Sequence, residues 1–141
     1  VDTSLFMTEN RHYSIFVYDS MNALKYKVID ENFVTPPGSS CKVRFFFFFN
    51  NAPAVDVELD AQGVPMCQNY KNGLNGEYIQ MGSGTHQFKA LTTGAGSLLT
   101  TQNPYDYKPG AFYSLFLRGN VGATGLDSLI FFVIESTVDY L

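Results

Sequence analysis

Charged side chains are scarce in this sequence. Only 16% of the 141 residues are Asp, Glu, Lys or Arg, whereas about a quarter is typical of soluble domains. The 9 basic and 13 acidic residues give a net charge of -4, and the basic residues form no cluster. Binding to nucleic acid through phosphate contacts needs clustered Lys and Arg, so the composition predicts that nucleic acid is not a partner.

A long hydrophobic run is also missing. The apolar stretch at residues 45–49 consists of five phenylalanines, and Asn50, Asn51 and Pro53 follow it. A membrane-spanning helix needs about 20 apolar residues, so the stretch indicates a strand that is buried on both faces or covered by a partner. The start of the sequence, VDTS, does not resemble a signal peptide. We expect that an export signal, if the protein is secreted, lies outside this sequence.

The motifs of common active sites do not occur: the sequence contains no HExxH, CxxC or GxSxG. His12 and His86 lie in separate predicted strands, where a lone histidine is usually a surface or hydrogen-bonded residue. The glycine-rich stretch 119–125 lacks the lysine and the following helix of a phosphate-binding loop, which favours a hairpin loop. We therefore predict a protein that is not an enzyme and that has no cofactor.

Cysteine is rare and tryptophan is absent. The two cysteines, Cys41 and Cys67, are compatible with one disulfide or with two buried thiols. A bridge requires Cα atoms within about 7 Å of each other, and sequence spacing does not give that distance. Both alternatives stay open.

Aromatic residues and glycine are abundant, with 13 Phe, 9 Tyr and 12 Gly. Short segments of β-favouring residues alternate with Gly, Asn and Pro turns, a pattern that predicts an all-β protein. The best fit is an immunoglobulin-like antiparallel β-sandwich. The expected core consists of Val43, Phe45, Phe47, Val55, Val57, Leu59, Phe88, Tyr113, Leu115, Leu117, Ile130, Phe132 and Ile134.

Three carboxylates alternate with apolar residues in the segment VDVELD at 55–60. Asp56, Glu58 and Asp60 are expected on one face of a strand, with neighbours about 6–7 Å apart. That spacing suits a calcium ion, which makes these residues weak metal candidates. The competing interpretation is a solvated face that protects a sheet edge, and it is favoured because calcium sites also use loop carbonyls.

Four tyrosines near predicted turns are candidates for binding a sugar by stacking. They are Tyr70, Tyr78, Tyr105 and Tyr107. Tyrosine in loops is more often half-buried packing, so carbohydrate binding is the second hypothesis for function and not the first.

Two short segments carry a resemblance to a known family. The residues VRF at 43–45 and APAVDV at 52–57 resemble the opening of the bacterial family DUF4397. Residues 46–49 depart from that family, which usually has Asn and small polar residues there. The resemblance implies an extracytoplasmic location, at the cell surface or secreted, and domains that often occur in tandem.

An internal repeat points to more than one domain. The segment YSIFV at 13–17 matches YSLFL at 113–117, and VIDE at 28–31 resembles VIES at 133–136. We interpret residues 1–35 as the C-terminal strands of a preceding repeat, 36–40 as a linker and 41–141 as a complete domain. The leading hypothesis is a non-catalytic structural or adhesive module in a tandem array, with other protein domains or surface components as partners.

Overall fold

The computed structural model describes residues 4–18, 24–60, 63, 65–73 and 76–136. In these residues the regular structure is β-strand, with a single short 3₁₀ turn at Gly125–Asp127. The all-β prediction is confirmed. The chain divides into two compact units, Val1–Val34 and Thr35–Leu141, called unit 1 and unit 2 below. Within the described ranges no helix is long and apolar enough to cross a membrane.

In its described residues, unit 1 contains one hairpin. Strands β1 (His12–Tyr18) and β2 (Lys25–Glu31) pair antiparallel and form a two-stranded sheet of their own. Ile15 lies opposite Val28 in this ladder. Alternate residues of each strand therefore share a face, as the period of two requires.

The described part of unit 2 contains ten strands, which in chain order are β3 (Ser40–Asn50), β4 (Val55–Leu59), β5 (Pro65–Tyr70), β6 (Ile79–Gly82), β7 (Gly84–His86), β8 (Phe88–Thr92), β9 (Leu98–Thr101), β10 (Tyr105–Tyr107), β11 (Phe112–Asn120) and β12 (Ile130–Ser136). One sheet has the order β12-β11-β3-β6 and a second has the order β5-β4-β8-β9. Strands β7 and β10 form a small third sheet. Neighbours are antiparallel except for β3 and β11, which run parallel.

The two four-stranded sheets share one core, as in a β-sandwich. Most of the predicted core residues are buried there: Val43, Phe45, Phe47, Val55, Val57, Phe88, Tyr113, Leu115 and Leu117. Leu59 is partly buried against them.

The prediction of which β12 residues face the core was wrong. Ile130, Phe132 and Ile134 are 37%, 49% and 44% exposed, whereas Phe131 and Val133 pack against the core. The segment IFFVI is apolar at every position, so its pattern does not distinguish the two faces. The register decides: Val133 lies opposite the buried Leu115, and directly paired residues point to the same side of a sheet.

The phenylalanine run lies in β3 and has buried side chains on both faces of the sheet, which is one of the two predicted alternatives. Phe45 and Phe47 face the core, while Phe46 points to the other side and stacks on Phe116 with ring centroids 5.0 Å apart. Phe46 is nevertheless only 1% exposed. A strand without apolar–polar alternation is thus explained by burial on both sides.

The segment predicted as a linker, 36–40, falls within unit 2. Its last two residues are hydrogen-bonded into the sandwich. Ser83 donates its backbone N–H to the Ser39 carbonyl at 2.9 Å, and Gly110 donates to the Ser40 carbonyl at 2.8 Å. Ser40 is already the first residue of β3.

Candidate functional site

The most developed polar arrangement lies where β4 ends, beside the small β7–β10 sheet. Asp60 directly follows β4 and has a positive φ of 50°, a conformation that Asp tolerates better than most residues. Its backbone N–H donates to the Gln87 carbonyl at 2.7 Å. In return, the Gln87 N–H donates to Oδ1 of Asp60 at 2.8 Å. These two bonds fix the carboxylate.

His86 completes the arrangement. Its Nδ1 lies 2.8 Å from Oδ2 of Asp60, and its Nε2 lies 3.1 Å from the carbonyl oxygen of Gly82. The imidazole therefore links the Asp60 carboxylate to the main chain at Gly82.

The electrostatics of Asp60 agree with this pairing. Partial burial opposes ionisation, but the hydrogen bonds from His86 and from the Gln87 N–H, together with the charge of His86, hold the pKa of Asp60 below its ordinary value. The net effect is a carboxylate stabilised as an anion by donors from another part of the chain.

The hydrogen bonds of Asp60 and His86 connect separate parts of the fold. A general base needs a ring nitrogen that can take a proton from a substrate, and here Nε2 is directed at the Gly82 carbonyl. The nearby hydroxyl of Ser83 donates to the Ser39 carbonyl at 2.8 Å. The pair joins the end of β4 to the β6–β7 turn.

The candidate tyrosines of strand β10 lie beside His86, since Tyr105 is its partner in the β7–β10 ladder. Tyr107 is fully buried, and its hydroxyl exchanges hydrogen bonds with the Gln102 amide at 2.9 and 3.1 Å. Burial raises the pKa of Tyr107 well above its ordinary value. Tyr105 packs against both Tyr107 and Tyr113, with centroids 5.0 and 5.8 Å apart. The ring of Tyr107 consequently offers no face to a sugar.

The other two candidate tyrosines also pack against neighbours. The ring of Tyr70 lies on Phe47 with centroids 5.0 Å apart. The ring of Tyr78 lies under the guanidinium of Arg44 at 4.5 Å and meets Phe112 edge-on at 5.4 Å. Arg44 is itself buried and donates from Nε to the Ser114 hydroxyl at 2.9 Å.

The three carboxylates considered for calcium have separate environments. Oδ1 of Asp56 accepts the Asn69 N–H at 2.8 Å and the Thr93 hydroxyl at 2.6 Å, so it ties β4 to its neighbours. Asp60 is held by His86, and Glu58 lies partly buried on β4 between them. In the described part of the chain, no three His, Cys, Asp or Glu residues form a group that could hold a metal ion.

Both cysteines are free and buried in the sandwich. Cys41 lies on β3 and Cys67 on β5, which belong to different sheets. Burial raises the pKa of Cys41 to about 11 and that of Cys67 to about 12. Neither thiol is activated as a nucleophile, since the thiolate is the reactive form.

The Asp60–His86 pair and the Gln102–Tyr107 pair are not indicated by the sequence. The first joins residues 26 positions apart, and nothing in either local pattern indicates the other partner. The second spans only 5 positions, but a glutamine before a turn has no specific signature. Both depend on how the strands pack.

Comparison of the chain with protein-family models gave no match, and comparison with curated protein sequences gave none either.

Proposed function

We propose that the protein is a non-catalytic structural or adhesive module of a bacterial surface or secreted protein, and that it belongs to a tandem array. The observation that carries the proposal is the repeated hairpin. The sequence match of 13–17 with 113–117 recurs in the ladders, because Ile15 lies opposite Val28 as Leu115 lies opposite Val133. Repetition of both sequence and register supports two modules of one kind.

The use of the polar side chains supports a structural role. Asp56, Asp60 and His86 connect strands or turns of the sandwich through hydrogen bonds. Gln102 does the same for Phe88 and Tyr107. Groups that could take part in chemistry are here directed at main-chain and side-chain partners, where they hold the fold.

The extracytoplasmic location rests on the resemblance of 43–45 and 52–57 to DUF4397. The partners we propose are other protein domains or surface components. The expected location can be tested in the bacterium that encodes the protein. Protease added to intact cells should release fragments that contain residues 40–136, or the protein should appear in the medium. Recovery only from the cytoplasm of lysed cells would contradict the proposal.

Adhesion can be tested with beads that carry the purified chain, applied to cells of the same bacterium and to a glycan array. We expect binding to cells without selective binding to a sugar. Selective sugar binding that is lost in Tyr105→Ala would instead favour the carbohydrate-binding alternative. Tyr105 is the suitable residue because it is half-buried, whereas Tyr107→Ala would remove a core side chain.

Catalysis can be tested with ester, peptide and glycoside substrates, and we expect no turnover by the wild-type chain. Turnover that disappears in His86→Ala, while the variant keeps the circular dichroism spectrum of the wild type, would overturn the non-catalytic proposal.

A further inference from the structure

The two hairpins share a side-chain detail that their sequences do not reveal. The hydroxyl of Tyr113 accepts the backbone N–H of Lys108 at 2.8 Å, and the hydroxyl of Tyr13 accepts the backbone N–H of Thr8 at 3.1 Å. In both cases the donor precedes the tyrosine by 5 residues. A tyrosine that bonds back to the chain before its strand is a recurring corner of β-sandwiches. The hairpin of unit 1 is therefore equivalent to β11–β12 in sequence, register and strand entry.

The equivalent faces of the two hairpins differ in burial. In unit 2 the inner face of β11 is covered, and Leu115 and Leu117 are 0% and 1% exposed. In unit 1 the corresponding Ile15 and Val17 are 45% and 66% exposed. An apolar face that is buried in one copy and open in the other indicates that the described residues of unit 1 do not include the layer that covers it in unit 2.

Unit 2 shows which strands form such a covering layer. There, strand β3 runs parallel beside β11, and the sheet β5-β4-β8-β9 covers the inner face. An isolated two-stranded hairpin is marginally stable in water, so a hairpin with this face needs a cover of the same kind.

We propose that the face of Tyr13, Ile15, Val17 and Val28 is a docking surface for a segment of the kind that residues 40–101, with strands β3 to β9, form in unit 2. The segment would place one strand parallel to β1, as β3 lies beside β11. The strands equivalent to β4, β5, β8 and β9 would cover the inner face with apolar side chains. This inference rests on the proposed tandem array and names what completes its first module.

Chain order identifies the source of the segment. In unit 2 the covering strands precede the hairpin, since β3 to β9 come before β11. The same order in a like module places the segment in the same polypeptide, ahead of Thr8. A second copy of the chain is the competing source.

The test uses a fusion protein that consists of residues 35–107 followed directly by residues 8–141. A second copy of the covering strands then precedes Thr8. The junction reproduces the one in unit 2, where Lys108 follows Tyr107. Val17→Cys is introduced into the parent chain and into the fusion. The rate at which maleimide labels this cysteine under native conditions then measures whether the face of unit 1 is covered. The matched control is Leu98→Cys at the original position, which is 60% exposed in the parent.

We expect labelling at position 17 to slow at least about 100-fold in the fusion, because a buried thiol reacts only through opening of the structure. The control position should keep its rate. A second fusion with Ile15→Leu and Tyr26→Phe, which copies the side chains of Leu115 and Phe131, guards against a poor fit between the copies.

Unchanged labelling at position 17 in both fusions would overturn the proposal. Dimerisation of the parent chain with protection at position 17 would overturn the assignment to the same polypeptide and favour a second copy. Neither result bears on cellular location or adhesion, which the experiments on intact cells and beads measure separately.

Discussion

At the scale of single residues, the Asp60–His86 pair has the clearest thermodynamic consequence. We expect Asp60→Asn to lower the free energy of unfolding of unit 2 by about 1–2 kcal/mol at pH 6, because hydrogen bonds to a charged group are lost. Asp106→Asn is the matched control, since Asp106 is an exposed carboxylate on the adjacent β10. Urea denaturation of both variants measures the difference, and equal stabilities would contradict the prediction.

The pH dependence follows from the direction of the Asp60 shift. Its pKa in the folded protein is lower than the ordinary 3.8, so its contribution is present above pH 3.8 and is lost as the pH falls through the folded value. The stability difference between wild type and Asp60→Asn should therefore shrink below about pH 4. A difference that stays constant from pH 6 to pH 2.5 would show that ionised Asp60 is not responsible.

The two thiols give another residue-scale prediction. Because Cys41 and Cys67 are buried and have pKa values of about 11 and 12, iodoacetamide at pH 8 should not modify them in the folded protein. In denaturant without a reductant, both should be alkylated, and intact mass spectrometry counts the added groups. Resistance to alkylation until a reductant is added would instead support a disulfide.

At the scale of elements, the junction of β11 with the following loop depends on one glycine. Gly119 has a φ of 114°, and a Cβ atom there would lie 2.2 Å from the carbonyl oxygen of Ser128. We expect Gly119→Ala to destabilise unit 2 by about 3 kcal/mol or more, through backbone strain and a steric clash.

Gly122 in the same loop is the control for this substitution. Its φ is also positive, 80°, but a Cβ atom there would have open space. Gly122→Ala should cost only about 1 kcal/mol, the penalty of a left-handed conformation. Thermal unfolding of the two variants separates the effects, and equal losses would mean that the close approach to Ser128 is unimportant.

Element by element, the sequence was informative where apolar and polar residues alternate. Val55, Val57 and Phe88 could be assigned to the core from their pattern or context, and all three are buried. The side of β12 could not be assigned, because its apolar residues are continuous and only pairing with β11 fixes the face. The Asp60–His86 pair was not predictable either, since it depends on a left-handed residue after β4 and on the placement of the small β7 strand.

At the scale of the whole molecule, equivalent positions in the two units should respond differently to a charge. Leu117→Glu would bury a carboxylate in the core and should cost unit 2 about 4 kcal/mol or more. Val17→Glu, at the equivalent position of unit 1, affects a side chain that is 66% exposed. It should change the unfolding of unit 2 by less than about 0.5 kcal/mol.

Circular dichroism melting of both variants measures this contrast. Both variants are made in the unfused chain. Comparing their losses of stability therefore tests whether the face of unit 1 is open without an added segment. A large loss of stability in Val17→Glu would mean that the face is already used for packing.

The parallel pairing of β3 with β11 has a mechanical consequence. Lys42 and Ser136 both lie opposite Phe112, one on each side of it, so the chain enters and leaves the sheet at the same end, about two strand spacings apart. A pulling force applied through these two points acts across the strands and separates hydrogen bonds one after another, as in unzipping. The sandwich would therefore yield under a lower tension than a domain whose terminal strands are sheared along their length.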